Sequence, residues 1–162
     1  MSLTEGSAID MLRLEAQVHS AVSSVDDPEY PGISIVDLGL LESIHVEPDG
    51  STVIGLIPTF SGCPALAIIA DAVIAAVQAV ADASTCTVYW LPSPPWHAAL
   101  TRPAARSCPA RKLPLALQIG QRSTTCPLCA SKTVEQSMFG PSRCRSVHNC
   151  TGCGETVEVL RG

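Results

Sequence analysis

Apolar residues recur at helical spacing over the first part of the chain. They fall at Ile9, Leu12, Leu14, Val18, Val22 and Val25. The pair Ser7 and Asp10 resembles a capping box, so this pattern predicts a helix that begins near Ser7 and ends before Asp27-Pro28. Because proline blocks helical continuation, the proline-rich stretch from Asp27 to Gly32 is expected to be a stiff loop.

The next part of the chain changes to strand spacing. Leu41–Val46 and Thr52–Ile57 flank the turn sequence Pro48–Ser51, which predicts a hairpin. An apolar helix should follow within Ala65–Ala83, and Thr87–Leu91 should form a third strand. A small mixed sheet with helices on one face buries this pattern most economically, so the predicted fold class is α+β.

Four cysteines near the C-terminus form two Cys-x-x-Cys knuckles, Cys126/Cys129 and Cys150/Cys153, with twenty residues between them. This arrangement is typical of one tetrahedral zinc ion whose four ligands leave no open position, so the zinc should be structural. Two disulfides or an iron centre are the alternatives, and His148 could replace one cysteine. The predicted organisation is an α+β domain over 1–98, a linker over 99–123 and a zinc ribbon over 124–162.

Charge is distributed unevenly between these parts. Residues 1–98 hold twelve acids against Arg13 alone, a net charge of −11, whereas residues 99–162 hold nine bases and three acids, a net charge of +6. The basic part could therefore meet an acidic partner, nucleic acid or the chain's own first domain.

The chain shows neither a secretory signal pattern nor a membrane-spanning pattern. The most apolar stretch contains Asp71, Gln78 and Asp82, and a central carboxylate is costly in a bilayer. We therefore expect a cytoplasmic protein without membrane contact, in which reduced cysteines serve metal and thiol chemistry.

Cys63 is the principal candidate for chemistry in the first domain. It follows Gly62 and precedes Pro64, at the predicted start of the apolar helix, where the helix dipole should lower its thiol pKa. Such a thiolate could bind iron, hold part of an iron–sulfur cluster or attack an electrophile; a packed core thiol is the alternative. No histidine pattern supplies a base for Cys63, so an enzyme is not favoured.

Acidic residues flank the same predicted hairpin. Asp27, Glu29 and Asp37 lie on loops that could converge on Cys63 and supply oxygen ligands or attract a cation, although solvated loop acids would show the same pattern.

Three ordered motifs, Asp27-Pro28-Glu29, Ser34–Gly39 and Pro58–Pro64, resemble the metal-sulfur cluster assembly domain of the cytosolic iron–sulfur targeting machinery. Together with Ser93–Trp96 and the cysteine ribbon, they make about nine tenths of the chain similar to the family of D subunits of phenylacetyl-CoA ring epoxidases. The C-terminal tail and the segment after Trp96 differ from the family pattern.

The resemblance implies an accessory protein of phenylacetate degradation that helps to mature a metal centre and is not itself an enzyme. Its expected partners are the oxygenase and reductase subunits, and its expected cargo is transient iron or an iron–sulfur cluster. The family's reactive cysteine corresponds to Cys63, its acidic loop to Asp27 and Glu29, and its ribbon ligands to the four knuckle cysteines. A homodimer is compatible with this, because one thiol cannot complete the ligand set of a cluster.

The other cysteines are secondary. Cys144 matches a family cysteine and is a candidate fifth thiol near the zinc or a relay, with a packed residue as the alternative. Cys86 is expected in the core, and Cys108 is either an exposed redox thiol or without a role.

Two further functions remain open. The chain could be a structural subunit of the oxygenase complex. Its basic C-terminal part could instead bind nucleic acid, but Phe139 is the only aromatic residue of the ribbon, so the surfaces on which bases would stack are scarce.

Overall fold

A computed structural model describes residues 3–97, 100–102, 115–116, 125–141 and 145–160. These residues form two helices and nine strands in three small sheets. In chain order the elements are α1 (Leu3–Ser23), β1 (Asp26–Asp27), β2 (Tyr30–Ser34), β3 (Leu41–Val46), β4 (Ser51–Leu56), α2 (Ala65–Gln78), β5 (Thr85–Trp90), β6 (Leu115–Ala116), β7 (Thr133–Ser137), β8 (Arg145–Cys150) and β9 (Thr156–Leu160).

The N-terminal part is built on a three-stranded sheet of order β3-β4-β5. β3 pairs antiparallel with β4, and β4 pairs parallel with β5, so α2 is the crossover between the two parallel strands. Ile44, Ile54 and Val88 lie in register across the sheet and contribute to the core, whereas Val53 on the opposite face is exposed.

The two helices cover one face of this sheet. Helix α1 contacts β3, and α2 contacts β5 and α1. Each helix buries one apolar stripe, comprising Leu14, Val18 and Val22 on α1 and Ile69, Val73 and Val77 on α2. Of the helices that the structure describes, neither is long and apolar enough to cross a membrane.

The C-terminal part is a four-stranded sheet of order β6-β9-β8-β7. β8 forms antiparallel ladders with β7 and β9, and its inner face carries Ser146, His148 and Cys150. Among the described residues, the buried apolar core of this sheet comprises Cys126, Cys150, Val157 and Val159. The molecule therefore has the α+β class that the sequence pattern predicts, with a small ribbon attached.

The predicted elements agree with most of the structure. The bounds of β3 are as predicted, and β4 and β5 differ from prediction by one or two residues at each end. Helix α1, however, begins at Leu3, so the capping role predicted for Ser7 is wrong. Leu12 is 67% exposed because it lies off the stripe that faces the sheet.

The stiff loop predicted for Asp27–Gly32 is also wrong in part, because β1 and β2 pair there as a small antiparallel sheet. Gly32 adopts φ +88°, a conformation that favours glycine, and its N–H donates to the Asp26 carboxylate at 2.8 Å. This turn geometry lets Asp26 face Ser34 and allows the proline-containing segment to enter a ladder.

Neighbouring residues on β4 provide a test of this packing. We expect Ile54→Ala to lower the free energy of unfolding by about 2–5 kcal/mol, because the side chain is fully buried and its removal leaves a cavity. Val53→Ala, on the exposed face, should cost less than about 1 kcal/mol. Urea unfolding followed by tryptophan fluorescence measures both; equal losses would contradict the assignment of faces.

Candidate functional site

Cys63 lies in the segment that connects β4 to α2. Its N–H donates to the Phe60 carbonyl at 3.1 Å, which closes a turn ahead of the helix. A Cβ at Gly62 would lie 2.8 Å from the Phe60 ring, so a larger residue there would require the ring to shift. The Cys63 side chain is half-buried and packs against the N-terminal core.

The pKa of the Cys63 thiol is raised, so the predicted lowering is wrong. Burial is the largest cause, and the nearby charges of Glu29 and Asp27 act in the same direction. The predicted effect of the helix start is present, because a hydrogen bond from the Ala65 backbone lowers this pKa, but burial outweighs it. The thiol is therefore predominantly protonated at neutral pH.

The acidic loop, residues 26–30, lies beside Cys63. Asp27 is 7% exposed and accepts the Glu29 N–H at 2.8 Å. Burial raises the pKa of Asp27 in spite of this hydrogen bond, and the Glu29 charge raises it further. Asp27 and Glu29 are thus close enough to act electrostatically on the thiol of Cys63.

Asp37 lies in a different turn, after β2. Its N–H donates to Ser34 Oγ at 3.0 Å, and its carbonyl accepts the Arg102 N–H at 2.8 Å. Its role as an iron ligand stays a prediction, as do the roles of Cys63, Asp27 and Glu29.

Arg145, the first residue of β8, reaches the acidic loop from the C-terminal sheet. Its Nε donates to the Tyr30 hydroxyl at 2.9 Å, and its guanidinium carbon lies 4.4 Å from the centroid of the Tyr30 ring. Its Nη2 lies 3.1 Å from the Glu29 carbonyl and 3.5 Å from the Glu29 carboxylate. Nη1 bonds Glu158 on β9 at 2.6 Å. One side chain thus joins the two parts of the molecule.

The four knuckle cysteines come together at the end of the C-terminal sheet. Their sulfur atoms lie within 4.8 Å of one another, with Cys126 Sγ 3.7 Å from Cys153 Sγ and Cys129 Sγ 3.3 Å from Cys150 Sγ. A tetrahedral zinc with bonds of about 2.3 Å needs sulfurs about 3.8 Å apart. The four sulfurs therefore fit one metal ion.

The backbone of each knuckle turns tightly around its sulfurs. The N–H groups of Gly152 and Cys153 donate to Cys150 Sγ at 3.3 and 3.4 Å. A Cβ at Gly152 would collide with the Ser131 side chain and lie 3.3 Å from Cys129 Sγ. Glycine at this position is therefore required by the close approach of the two knuckles.

The thiols of this cluster differ in acidity. Hydrogen bonds from Ser131 lower the pKa of Cys129 to about 6, and the N–H of Cys153 is the largest contribution to a lowered pKa at Cys150. At Cys153 a backbone hydrogen bond with Glu155 lowers the pKa, but the neighbouring thiols, Cys150 above all, together with desolvation outweigh it and raise the pKa to about 12. A bound cation would favour four thiolates together, which is the donor set that zinc prefers.

The geometry of this cluster does not fit two disulfides or a site that includes His148. A disulfide needs sulfurs about 2.05 Å apart, and all four knuckle cysteines are free. His148 is not part of the cluster: its Nδ1 lies 3.3 Å from Thr133 Oγ1 and its Nε2 lies 3.0 Å from Ser146 Oγ, within the core of the sheet.

The remaining cysteines are placed only in part. Cys86 is half-buried and packs against the N-terminal core, as expected. Cys144 and Cys108 lie outside the described residues. The residues that sequence reasoning missed are Arg145, Tyr30 and Glu158. Only the opposite charges of the two parts hinted at their contact, and no local motif identified the partners.

The fold and the two cysteine sites define a small α+β protein with an appended four-cysteine metal ribbon. A family model described as "Iron-sulfur cluster assembly protein" matches residues 15–90, and one described as "PaaD zinc beta ribbon domain" matches residues 113–161. The "Fe-S protein maturation auxiliary factor YitW" of Bacillus subtilis is 35% identical over 83 residues, 51% of this chain and 80% of that protein. The chain belongs to the iron–sulfur cluster assembly protein family, and its C-terminal part is a metal-binding zinc ribbon.

A second relative matches both parts of the chain. The D subunit of the "Putative 1,2-phenylacetyl-CoA epoxidase" of Escherichia coli is 29% identical over 163 residues, which cover 90% of this chain and 93% of that protein. Among solved structures, the "Domain of Unknown Function DUF59 from Bacillus anthracis" is 26% identical with a TM-score of 0.57, and the match covers 61% of this chain and 93% of that one. That likeness supports the N-terminal fold.

The cysteine geometry predicts a selective loss of metal. Purified protein should contain about one zinc per chain, since four thiolates close a single tetrahedral site. Cys150→Ser should lose most of this zinc because it removes a buried ligand, whereas Cys86→Ser should retain it. Elemental analysis after gel filtration measures the content, and full zinc in Cys150→Ser would contradict the assignment.

The raised pKa of Asp27 predicts a pH-dependent cost to stability. An acid whose pKa is higher in the folded state binds more protons there, so folding stability decreases as the pH rises from the ordinary aspartate range through the folded pKa. Asp27→Asn should therefore be more stable than the wild type at pH 7, and the difference should diminish toward pH 4. Unfolding free energies across this range test the sign. Asp71→Asn, at an exposed position on α2, is the matched control.

Proposed function

We propose that this protein is an accessory maturation factor of a phenylacetyl-CoA oxygenase, and that Cys63 transiently holds iron or an iron–sulfur cluster for delivery to the oxygenase or its reductase. The observation that carries the proposal is the position of the Cys63 thiol, half-buried at the start of α2 and beside two carboxylates. A soft sulfur ligand next to hard oxygen ligands suits iron.

The raised pKa values at this site also support a cation as cargo. Burial holds the Cys63 thiol and the Asp27 carboxyl toward their neutral forms. An arriving cation would stabilise the charged forms and be bound by them. Asp27 and Glu29 are the proposed oxygen ligands or attracting charges, and Asp37 belongs to the same proposal from the neighbouring turn.

One cysteine does not fill the coordination sphere of a cluster. The other ligands would come from a second copy of this chain, from a small thiol or from the client. Such a site suits a transient carrier, because the client could replace these other ligands one at a time.

The ribbon has a different role in this proposal. Its four sulfurs leave no open position, so its zinc is structural and holds a surface that docks the client. This assigns cargo to residues 1–98 and docking to residues 124–162, with 99–123 as the linker between them, in a protein that acts in the cytoplasm.

The link to phenylacetate degradation rests on the epoxidase relative from Escherichia coli, whose name also favours a second candidate, a structural subunit of the oxygenase complex. Nucleic-acid binding is less well supported. Arg145 is occupied by an intramolecular contact, and Phe139 is the only aromatic residue in 124–162.

The iron content of the clients tests the proposal. The oxygenase and reductase are expressed with the wild-type chain, without it, and with Cys63→Ala, and are purified without oxygen. Client iron and acid-labile sulfide should fall severalfold without the chain, and Cys63→Ala should fail to restore them, because the ligand that holds the cargo is lost. Cys86→Ala, another half-buried free thiol, should restore them fully.

Two other outcomes distinguish the candidates. Normal client iron with Cys63→Ala would exclude the carrier role. A structural subunit would give a different result. Clients expressed without the chain would then have normal iron but lack activity, and the chain would co-elute stoichiometrically with the oxygenase on gel filtration.

A further inference from the structure

Arg145 connects the ribbon to the acidic loop through an ion pair, hydrogen bonds and a ring contact. Its side chain is only 12% exposed, and it meets the Glu29 carboxylate, the Glu29 carbonyl and both the ring and the hydroxyl of Tyr30. Arginine suits such a contact because its planar guanidinium can donate in several directions and stack on an aromatic ring at the same time.

The ribbon itself orients this arginine. Glu158 on β9 binds Nη1 of Arg145, and β8 and β9 are adjacent strands in which Arg145 faces Leu160. The same two strands are joined by the second metal knuckle, where the Cys150 N–H donates to the Glu155 carbonyl at 2.8 Å. Arg145 is thus held by the hairpin whose turn supplies two of the four sulfurs.

That hairpin depends on its metal. Among the described residues, the buried apolar core of the C-terminal sheet comprises four residues, two of which are the knuckle cysteines Cys126 and Cys150. Because half of this core consists of metal ligands, the packing of the sheet is coupled to the bound ion. Loss of the metal should therefore release Arg145 from its position.

The other end of the contact adjoins Cys63. Glu29 and Tyr30 directly follow Asp27 and Pro28, and the charges of Asp27, Glu29 and Arg145 all act on the Cys63 thiol. A change in the position of this loop would change the surroundings of that sulfur.

We infer that the metal-bound ribbon is an internal docking partner of the acidic loop. Arg145 is the positioning residue through which metal occupancy of the four-cysteine cluster fixes this loop, together with the rest of β2 up to residue 34, beside Cys63. With the ribbon docked, the loop is held in one arrangement. With the metal removed or Arg145 replaced, the loop is released and the two cysteine sites become independent.

Hydrogen exchange of the full chain tests this inference without any cargo. Amide exchange is measured by mass spectrometry for peptides covering 26–34 and β7–β9, together with zinc content. Arg145→Met removes the charge and the donors but keeps the length of the side chain. It should retain zinc and the protection of β7–β9, while residues 26–34 exchange about tenfold faster or more.

Zinc removal completes the test. In the wild type, a zinc chelator should accelerate exchange of residues 26–34 to the rate seen in Arg145→Met. In Arg145→Met the same chelator should add little to the exchange of this segment, because the link is already broken. The matched control is Arg13→Met, which replaces an exposed arginine on α1 and should behave as the wild type.

A variant on the other side of the contact covers the case in which Arg145→Met disturbs the ribbon itself. Glu29→Gln should accelerate exchange of residues 26–34 with normal zinc, and the double variant should show less than the sum of the two effects. Unchanged protection of residues 26–34 in Glu29→Gln, or additive effects, would overturn the inference. Since no readout involves iron, failure here is distinct from failure of the carrier proposal.

Discussion

The C-terminal sheet depends on four sulfur atoms, and much of the molecule's organisation follows from that constraint. Among the described residues, the buried apolar core of this sheet has four members, whereas the N-terminal core has eighteen. Two of the four are the knuckle cysteines Cys126 and Cys150, so the packing of this sheet and its metal site share the same side chains. Since β8 begins at Arg145 and ends at Cys150, this strand connects the arginine directly to the cluster.

The N-terminal core differs from the core of the C-terminal sheet in its size. It is large enough to bury ionisable groups. It does so at Asp27 and Cys63, whose pKa values are raised mainly by burial. Because burial disfavours the charged forms of this carboxyl and this thiol, the electrostatic balance of the site would improve on binding a cation.

Local sequence patterns predicted the parts of the structure that depend on interactions between residues close in sequence. The alternation in β3 and the turn after it determined the hairpin, and the spacing of the knuckle cysteines determined the metal cluster. The sign of the Cys63 pKa shift could not be predicted in this way, because it depends on how deeply the Cys63 side chain is covered by residues distant in sequence. The pairing of β1 with β2 was missed because prolines masked the strand pattern.

The contact of Arg145 with Tyr30 and Glu29 could not be predicted from local sequence patterns either. Net charges of −11 and +6 predict attraction between the two parts but no orientation, since exposed charges are screened over about 8 Å at physiological salt. Orientation requires short-range contacts that tolerate little displacement, such as a guanidinium stacked 4.4 Å from a ring centroid with its donors directed at two adjacent residues. The charge asymmetry brings the parts together, and Arg145 selects one arrangement among those that attraction allows.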